Sequence, residues 1–182
     1  VAALDTRSAP PSPPIGVRRR VTFVGLVRRQ VRRLNLSAIH CVERDATQSL
    51  SDLIAPPGFD RVLVDAPCSG IGTLRRNPDA RWRFDGESVG RLAELQASIL
   101  RRAAAVLRPG GSLVYSTCTV LPEENEAVVQ GFLDEAKDFT LVPRDDLPDV
   151  VQPLVGDDGV LQTWPHRHDT DGFFAARLER TS

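Results

Sequence analysis

The sequence predicts an α/β fold, in which an open parallel β-sheet carries helices on both of its faces. Residues 59–64 form an apolar run, and a Gly-Gly turn leads into a second apolar run that ends at residue 117. Both runs are typical of buried parallel strands. Between them, residues 87–107 carry apolar side chains at helical spacing, which predicts a long amphipathic helix. A strand, a helix and a strand in this order make a parallel crossover unit.

The elements before this unit are shorter. Residues 1–4 and 38–42 are strand candidates, and each run ends close to an acidic side chain. Residues 24–34 place valine and leucine at helical spacing with arginines between them, which predicts an amphipathic helix of about three turns. The prolines of residues 9–14 exclude a helix interior or a central strand, because proline lacks the amide donor. We therefore interpret residues 9–20 as an insertion or a linker.

The elements after the unit complete the sheet. Pro122 and the acids up to Glu126 are typical of a helix start, where free amides and the helix dipole favour them. We expect this helix to run to about Ala136. Residues 140–142 and 172–178 are predicted to be the closing strands.

The composition predicts one domain over residues 1–182. A chain of 182 residues with 41% hydrophobic side chains can bury one core. Because it has no apolar run of about 18 residues and no secretory signal pattern, we expect a cytoplasmic monomer without a membrane segment. The three cysteines are widely and irregularly spaced, which favours free thiols over a disulfide framework or a metal site. The chain opens on Val1 and lacks methionine, so we expect a fragment.

Acidic side chains follow several of the predicted strands. Asp5, Asp45 and Asp65 stand at three strand ends, and the carboxyl ends of parallel strands are where such sheets bind ligands. Carboxylates accept hydrogen bonds, which suits ribose hydroxyls and the adenine amino group of a nucleoside cofactor. For Asp5 and Asp45, a turn or a helix N-cap explains the acid equally well.

Two of the cysteines occupy the same kind of position. Cys68 lies in the loop that follows Asp65, and Cys118 follows the strand that ends at residue 117. If those strands are neighbours, they lie about 4.8 Å apart and both thiols line one cleft. Cys41, beside His40, is interpreted as an inert, small apolar side chain.

These motifs resemble the Sun/Fmu family of RNA 5-methylcytosine methyltransferases. The resemblance rests on residues 65–79 (Asp-Ala-Pro-Cys-Ser-Gly-Ile-Gly-Thr-Leu-Arg-Arg-Asn-Pro-Asp), 115–119 (Tyr-Ser-Thr-Cys-Thr) and 122–126 (Pro-Glu-Glu-Asn-Glu). Residues 107–111 (Leu-Arg-Pro-Gly-Gly) and 171–177 (Asp-Gly-Phe-Phe-Ala-Ala-Arg) are similar to the family as well. The resemblance implies a Rossmann-like, class I S-adenosyl-methionine-dependent methyltransferase fold. It also implies activity on RNA, with ribosomal RNA as the expected substrate.

The resemblance also implies the roles of individual residues. Cys118 is the expected nucleophile, Cys68 is expected to assist product release, and Asp65 to contact the target base. Asp5, Asp45 and Asp65 are expected to contact S-adenosyl-methionine. The family pattern has a strand and a Gly-rich cofactor loop before the position of Val1, so the resemblance implies a partial catalytic domain that lacks both.

The chemistry of such a reaction explains these residue types. Carbon 5 of cytosine is a poor nucleophile, and addition of a thiolate to carbon 6 turns carbon 5 into an enamine carbon that can attack a sulfonium methyl. The base must also leave its stack to reach the thiol. Charged and aromatic side chains that suit an RNA strand follow the Cys68 loop, namely Arg75, Arg76, Arg81 and Trp82. The alternative for these four is a solvated loop with one packed tryptophan.

Two other functions remain open. The chain is alternatively an inactive methyltransferase-fold remnant that retains RNA binding. A cysteine hydrolase that pairs Cys68 with His166 or His168 needs an imidazole beside the thiol. We expect both histidines in a polar loop before the last strand instead.

Overall fold

A computed structural model describes residues 2–4, 15–16, 21–54 and 56–181 of the chain. Its strands are β1 (Ala2–Leu4), β2 (Ile15–Gly16), β3 (His40–Cys41), β4 (Phe59–Asp65), β5 (Leu107–Thr117), β6 (Phe139–Leu141), β7 (Leu161–Thr163) and β8 (Phe173–Arg180). Its helices are α1 (Val21–Arg33), α2 (Ala80–Arg83), α3 (Gly86–Ala104), α4 (Glu126–Glu135) and α5 (Pro165–His168). Asp5 and most of the predicted insertion at residues 9–20 lie outside the described residues.

The described strands form one sheet. Their order is β3-β2-β1-β4-β5-β8-β6, and β7 also pairs with β8. β4 and β5 run parallel, with Asp65 opposite Ser116, and α3 connects them as the predicted crossover helix. β2, β3, β4 and β5 run parallel to one another, whereas β1 is antiparallel to β2 and β4, and β8 is antiparallel to β5. The predicted α/β class is confirmed, although the sheet is mixed rather than parallel throughout.

The first strand runs in a direction that the sequence did not predict. β1 is antiparallel to β4 and places Leu4 opposite Arg61. Its C-terminal end therefore lies at the end of β4 that is remote from Asp65. The expectation of a parallel strand over residues 1–4 was wrong in direction, because an apolar run of this length indicates a buried strand but not its orientation.

The core fills one face of the sheet. Side chains alternate along the strands, so that Leu113 and Tyr115 of β5 meet Leu178 and Ala176 of β8 on the inner side. α3 and α4 cover this face with buried apolar side chains, namely Ile99, Leu100, Ala103, Val128, Val129 and Phe132. Each large apolar side chain buried in this way contributes about 1.5–3 kcal/mol to folding.

The other face of β4, β5 and β8 is covered differently. Residues 147–161, which contain a short 3₁₀ turn, lie over it and enclose a cavity of about 520 Å³. Leu63, Val114 and Ala175 of the strands line this cavity. Helices were expected on both faces of the sheet. α3 and α4 form this layer on the first face, whereas a mainly irregular segment covers β4, β5 and β8 on the second face.

Substitutions at two adjacent phenylalanines of β8 test whether the core lies on the first face of the sheet. The Phe174 side chain is 0% exposed and that of Phe173 is 38% exposed. We expect Phe174→Ala to lower the free energy of unfolding by about 3–5 kcal/mol, because it opens a cavity in the core. Phe173→Ala is the matched control, with an expected loss of about 1 kcal/mol. Urea unfolding followed by circular dichroism measures both, and equal losses would contradict the assignment.

Candidate active site

Two thiols meet at the carboxyl edge of the sheet. Cys68 lies three residues beyond the end of β4, and Cys118 directly follows β5. Because these strands are parallel neighbours, the loops that follow them lie side by side, and the two Sγ atoms are 3.3 Å apart. This distance confirms the expectation that the two thiols lie together.

The pKa values of the two thiols are shifted in opposite directions. The hydrogen bond from Cys68 lowers the pKa of Cys118 to about 7, although burial and the charge of Asp65 act in the other direction. The pKa of Cys68 is raised, because its proton is held in the hydrogen bond to Cys118 and because the thiol is buried. At pH 7 about half of Cys118 is therefore thiolate, which is the reactive form, while Cys68 remains a thiol.

Short contacts fix the two loops to each other. The hydroxyl oxygens of Ser69 and Thr119 lie 2.9 Å apart, and the Gly72 amide donates to the Cys118 carbonyl at 3.0 Å. The Gly172 amide, just before β8, donates to the Gly72 carbonyl at 2.8 Å. A Cβ atom on Gly72 would lie 2.1 Å from the Gly172 carbonyl oxygen, so only glycine permits this approach.

A buried polar network lies behind the Cys68 loop. The Nε2 atom of Gln96 on α3 donates to the Pro67 carbonyl at 2.9 Å and to Oε2 of Glu124 at 2.8 Å. The Ser69 amide donates to the same Glu124 oxygen at 2.9 Å, and the Tyr115 hydroxyl donates to the Glu124 carbonyl at 2.6 Å. Gln96, Tyr115 and Glu124 are all 0% exposed.

The sequence pattern does not predict this network. The expectation for residues 122–126 is a helix start with acids near the free amides, whereas a 3₁₀ turn over Pro122–Glu124 precedes α4 and buries Glu124. Asn125 is also buried and donates to the Thr119 carbonyl at 3.1 Å. One signal is present in the sequence, since Gln96 is a polar residue within the apolar stripe of α3, between Leu92 and Ile99.

The acids expected to bind the cofactor differ in their surroundings. Asp65 is exposed at the end of β4, and none of the described residues donates a hydrogen bond to its carboxylate. The Oδ1 atom of Asp45 accepts from the amide and the hydroxyl of Thr47, at 2.9 and 2.7 Å, as in the turn that was the alternative for this acid. β3 and β4 point in the same direction, three strand spacings or roughly 14 Å apart. Asp45 lies four residues beyond the end of β3, whereas Asp65 is the last residue of β4.

The residues expected to bind RNA fall into two pairs. Arg75 forms an ion pair with Asp169 at 2.9 Å, and Arg76 forms one with Asp171. Trp82 is 76% exposed, so the alternative of a packed tryptophan is wrong. The Arg81 guanidinium lies over its ring, 4.5 Å from the centroid.

Both histidines lie in α5 rather than in the expected loop. The Nδ1 atom of His168 accepts from the Trp164 amide at 2.9 Å, and the His166 ring lies 6.0 Å from the Trp164 ring. Among the described residues, no imidazole is hydrogen-bonded to Cys68. The hydrolase alternative therefore has no base in this arrangement.

The described residues carry neither a metal-binding cluster nor a membrane helix. Within residues 2–4, 15–16, 21–54 and 56–181, no group of His, Cys, Asp or Glu side chains is suited to a metal ion. No helix in the same part of the chain has the length and apolar character needed to cross a bilayer.

Known proteins resemble the chain over most of its length. The family model described as 16S rRNA methyltransferase RsmB/F matches residues 18–179. The chain is 43% identical over 159 residues to the probable ribosomal RNA small subunit methyltransferase B of Bacillus subtilis, covering 86% of the chain and 35% of the relative. It is also 43% identical over 126 residues to the ribosomal RNA small subunit methyltransferase F of Aeromonas salmonicida, covering 69% and 26%. The chain thus spans about a third or less of these relatives.

A solved structure agrees with the sequence comparisons. The structure of NSun6 from Pyrococcus horikoshii with SFG, an S-adenosyl-methionine analogue, has a TM-score of 0.76 to this chain at 28% identity. The match covers 92% of this chain and 41% of that chain. The resemblance to the Sun/Fmu methyltransferases and the Rossmann-like class I fold are thereby confirmed. The chain belongs to the RsmB/F family of 16S rRNA methyltransferases, whose cofactor is S-adenosyl-methionine.

Proposed function

We propose that this chain carries the catalytic part of a ribosomal RNA cytosine-C5 methyltransferase, which works through a covalent bond between Cys118 and the base. The observation that supports this most strongly is the pair of thiols 3.3 Å apart at the carboxyl edge of the sheet. A lowered pKa at Cys118 and a raised one at Cys68 give the pair a nucleophile and a protonated partner.

The Cys118 thiolate adds to carbon 6 of cytosine, and the electron pair of the ring moves to carbon 5. S-adenosyl-methionine supplies an electrophilic methyl group for that carbon. The proton on carbon 5 must then leave before the bond between carbon 6 and sulfur can break and return the Cys118 thiolate. We assign Cys68, the side chain in contact with Cys118, to this release step. It gives up its own thiol proton to solvent once Cys118 is bound to the base, and then takes the proton from carbon 5, so that the electron pair of that C–H bond re-forms the ring double bond and expels the Cys118 sulfur.

Asp65 is our candidate for contact with the base. Its carboxylate is exposed beside the thiols and accepts hydrogen bonds, which suits the exocyclic amine of cytosine. The same acid, together with Asp45, is proposed to hold S-adenosyl-methionine through its ribose hydroxyls and adenine amine. The expected contact of Asp5 with the cofactor stays a prediction, because Asp5 lies outside the described residues and β1 ends at the end of β4 that is remote from Asp65.

Arg81 and Trp82 are our candidates for the RNA strand. The stacked, exposed pair offers a base platform and a positive charge next to the cysteine loop. Arg75 and Arg76 are already neutralised by Asp169 and Asp171, so we assign them a smaller share of the phosphate contact.

Alanine variants of Cys118 and Cys68 test the proposed roles of the two thiols one at a time. With a cytosine-containing ribosomal RNA and S-adenosyl-methionine, we expect Cys118→Ala to abolish methyl transfer, because the adduct cannot form. Cys68→Ala is expected to leave RNA covalently bound to Cys118, because release is blocked. Denaturing gels detect the adduct, and an adduct that persists in Cys118→Ala would sink the assignment. Titration calorimetry with S-adenosyl-methionine is the companion measurement, since a chain that binds RNA but no cofactor would support the inactive remnant.

The pH dependence of alkylation tests the thiol pair without any substrate. We expect iodoacetamide to modify Cys118 with a half-maximal rate at a pH of about 7, since only the thiolate reacts. Cys68→Ala removes the hydrogen bond that lowers the pKa and leaves burial and Asp65, which both raise it, so the midpoint should move upward. Peptide mass spectrometry identifies the modified cysteine. Cys41→Ser is the control and should leave the profile unchanged, whereas an unshifted midpoint in Cys68→Ala contradicts the pairing.

Substitutions at Arg81 and Trp82 test the RNA contact. We expect Trp82→Ala to weaken RNA binding by about 1–3 kcal/mol, the usual loss for one stacked base. Arg81→Ala should weaken binding and flatten its salt dependence. Arg144→Ala, which removes an exposed arginine paired with Asp157 elsewhere on the surface, is the control. Filter binding at fixed salt gives the comparison, and equal affinities of Trp82→Ala and Arg144→Ala would exclude the stacking role.

A further inference from the structure

The carboxylate of Glu124 is a buried charged group that the proposed chemistry does not use. It is 0% exposed, and it lies on the 3₁₀ turn that follows the Cys118 loop. Its contacts nevertheless go to the other cysteine loop, the one that contains Cys68. It therefore connects the two halves of the thiol pair.

The contacts hold the Cys68 loop on both sides of the thiol. Oε2 of Glu124 accepts from the amide of Ser69, the residue after Cys68, at 2.9 Å. The same oxygen accepts from Nε2 of Gln96 at 2.8 Å, and that nitrogen also donates to the carbonyl of Pro67, the residue before Cys68, at 2.9 Å. Glu124 and Gln96 thus fix the backbone on either side of Cys68 from within the core.

The turn that carries Glu124 is itself anchored to β5. The hydroxyl of Tyr115, which is 0% exposed, donates to the Glu124 carbonyl at 2.6 Å. Burial raises the pKa of that hydroxyl, so it stays protonated and remains a donor. The position of the Cys68 loop is consequently tied to the strand that ends beside Cys118.

The charge on Glu124 does not favour the thiolate form of Cys118. A negative charge near a thiol raises its pKa, and Glu124 acts on Cys118 in this direction. Its second oxygen, Oε1, is buried without a hydrogen-bond partner among the described residues, which costs free energy. The benefit of this side chain to the site therefore has to come from the position that it imposes.

We propose that Glu124, supported by Gln96, is the positioning residue that holds Cys68 in hydrogen-bonding contact with Cys118. This rests on the proposed function in one respect, namely that Cys118 is the nucleophile. Without the hydrogen bond that Glu124 accepts from Ser69 and the one that Gln96 donates to Pro67, the Cys68 loop is free to move away from Cys118. The nucleophile then loses the donor that stabilises its thiolate.

Substitutions at Glu124 and Gln96 distinguish an effect on the position of the Cys68 loop from an effect of the Glu124 charge. Glu124→Gln keeps an acceptor for Ser69 and removes the charge, whereas Glu124→Leu removes both. Gln96→Leu leaves the carboxylate in place and removes the donor to Pro67. Glu123 precedes Glu124 and is exposed, so Glu123→Leu is the matched control for the loss of a glutamate at this turn.

The readout is the pH midpoint of Cys118 alkylation, measured on the whole chain by peptide mass spectrometry. The ionisable groups that act on Cys118 are Cys68, Asp65 and Glu124. We expect Glu124→Leu and Gln96→Leu to raise the midpoint toward that of Cys68→Ala. Alkylation at pH 7 should slow about fivefold for the first pH unit by which the midpoint rises and about tenfold for each further unit, because the thiolate fraction falls in that proportion. Glu124→Gln should leave the midpoint unchanged or lower it, because a like charge is removed, and Glu123→Leu should not change it.

A merely structural or electrostatic role would give another pattern. If Glu124→Leu folds, as judged by circular dichroism, and its midpoint stays at or below that of the unmodified chain, the proposal is wrong. If Glu124→Leu does not fold, Gln96→Leu decides by the same criterion. The measurement needs neither RNA nor cofactor. Failure of the adduct gels would remove Cys118 as the nucleophile but not the role of Glu124 in the contact between the two cysteines. Failure of the alkylation test would remove the positioning role, and the gels would still test the proposed function.

Discussion

The parallel pairing of β4 with β5 is the constraint on which the site depends. The register that places Asp65 opposite Ser116 brings the loops after both strands to the same edge and the same height. The thiols then need only a few more contacts to reach 3.3 Å, and Gly72, Ser69 and Glu124 provide them. A slip of one residue in this register would turn the inner side chains of β4 outward and separate the thiols.

The crossover unit and the meeting of the two thiols could be predicted because their signals are long and local. β4, α3 and β5 each carry a periodic pattern over seven or more residues, and adjacency of the strands follows from their connection by one helix. The direction of β1 could not be predicted, since a three-residue strand carries no such pattern. The role of Asp45 could not be predicted either. An aspartate at this position is equally typical of a local turn with Thr47 and of a ligand contact.

The buried network could not be predicted for a different reason. Whether Glu124 faces solvent or the core is decided by Gln96, 28 residues away in the chain, and by the amide of Ser69, 55 residues away. Local rules for helix starts favour an exposed acid at this position, and the tertiary partners override them. The sequence thus indicated the two sulfur atoms that lie together, but not the groups that hold them at their distance.

The contact between Gly72 and Gly172 has a consequence for the order in which the site can form. β8 lies between β5 and β6 in the sheet, although it is the last strand in the chain. During synthesis from the N-terminus, β4, α3 and β5 leave the ribosome first, but Gly72 gains its hydrogen bond from Gly172 only when the final segment inserts. The thiol pair is therefore held on both sides only once residue 172 has left the ribosome, and a nascent chain stalled before that point has both cysteines but not this contact.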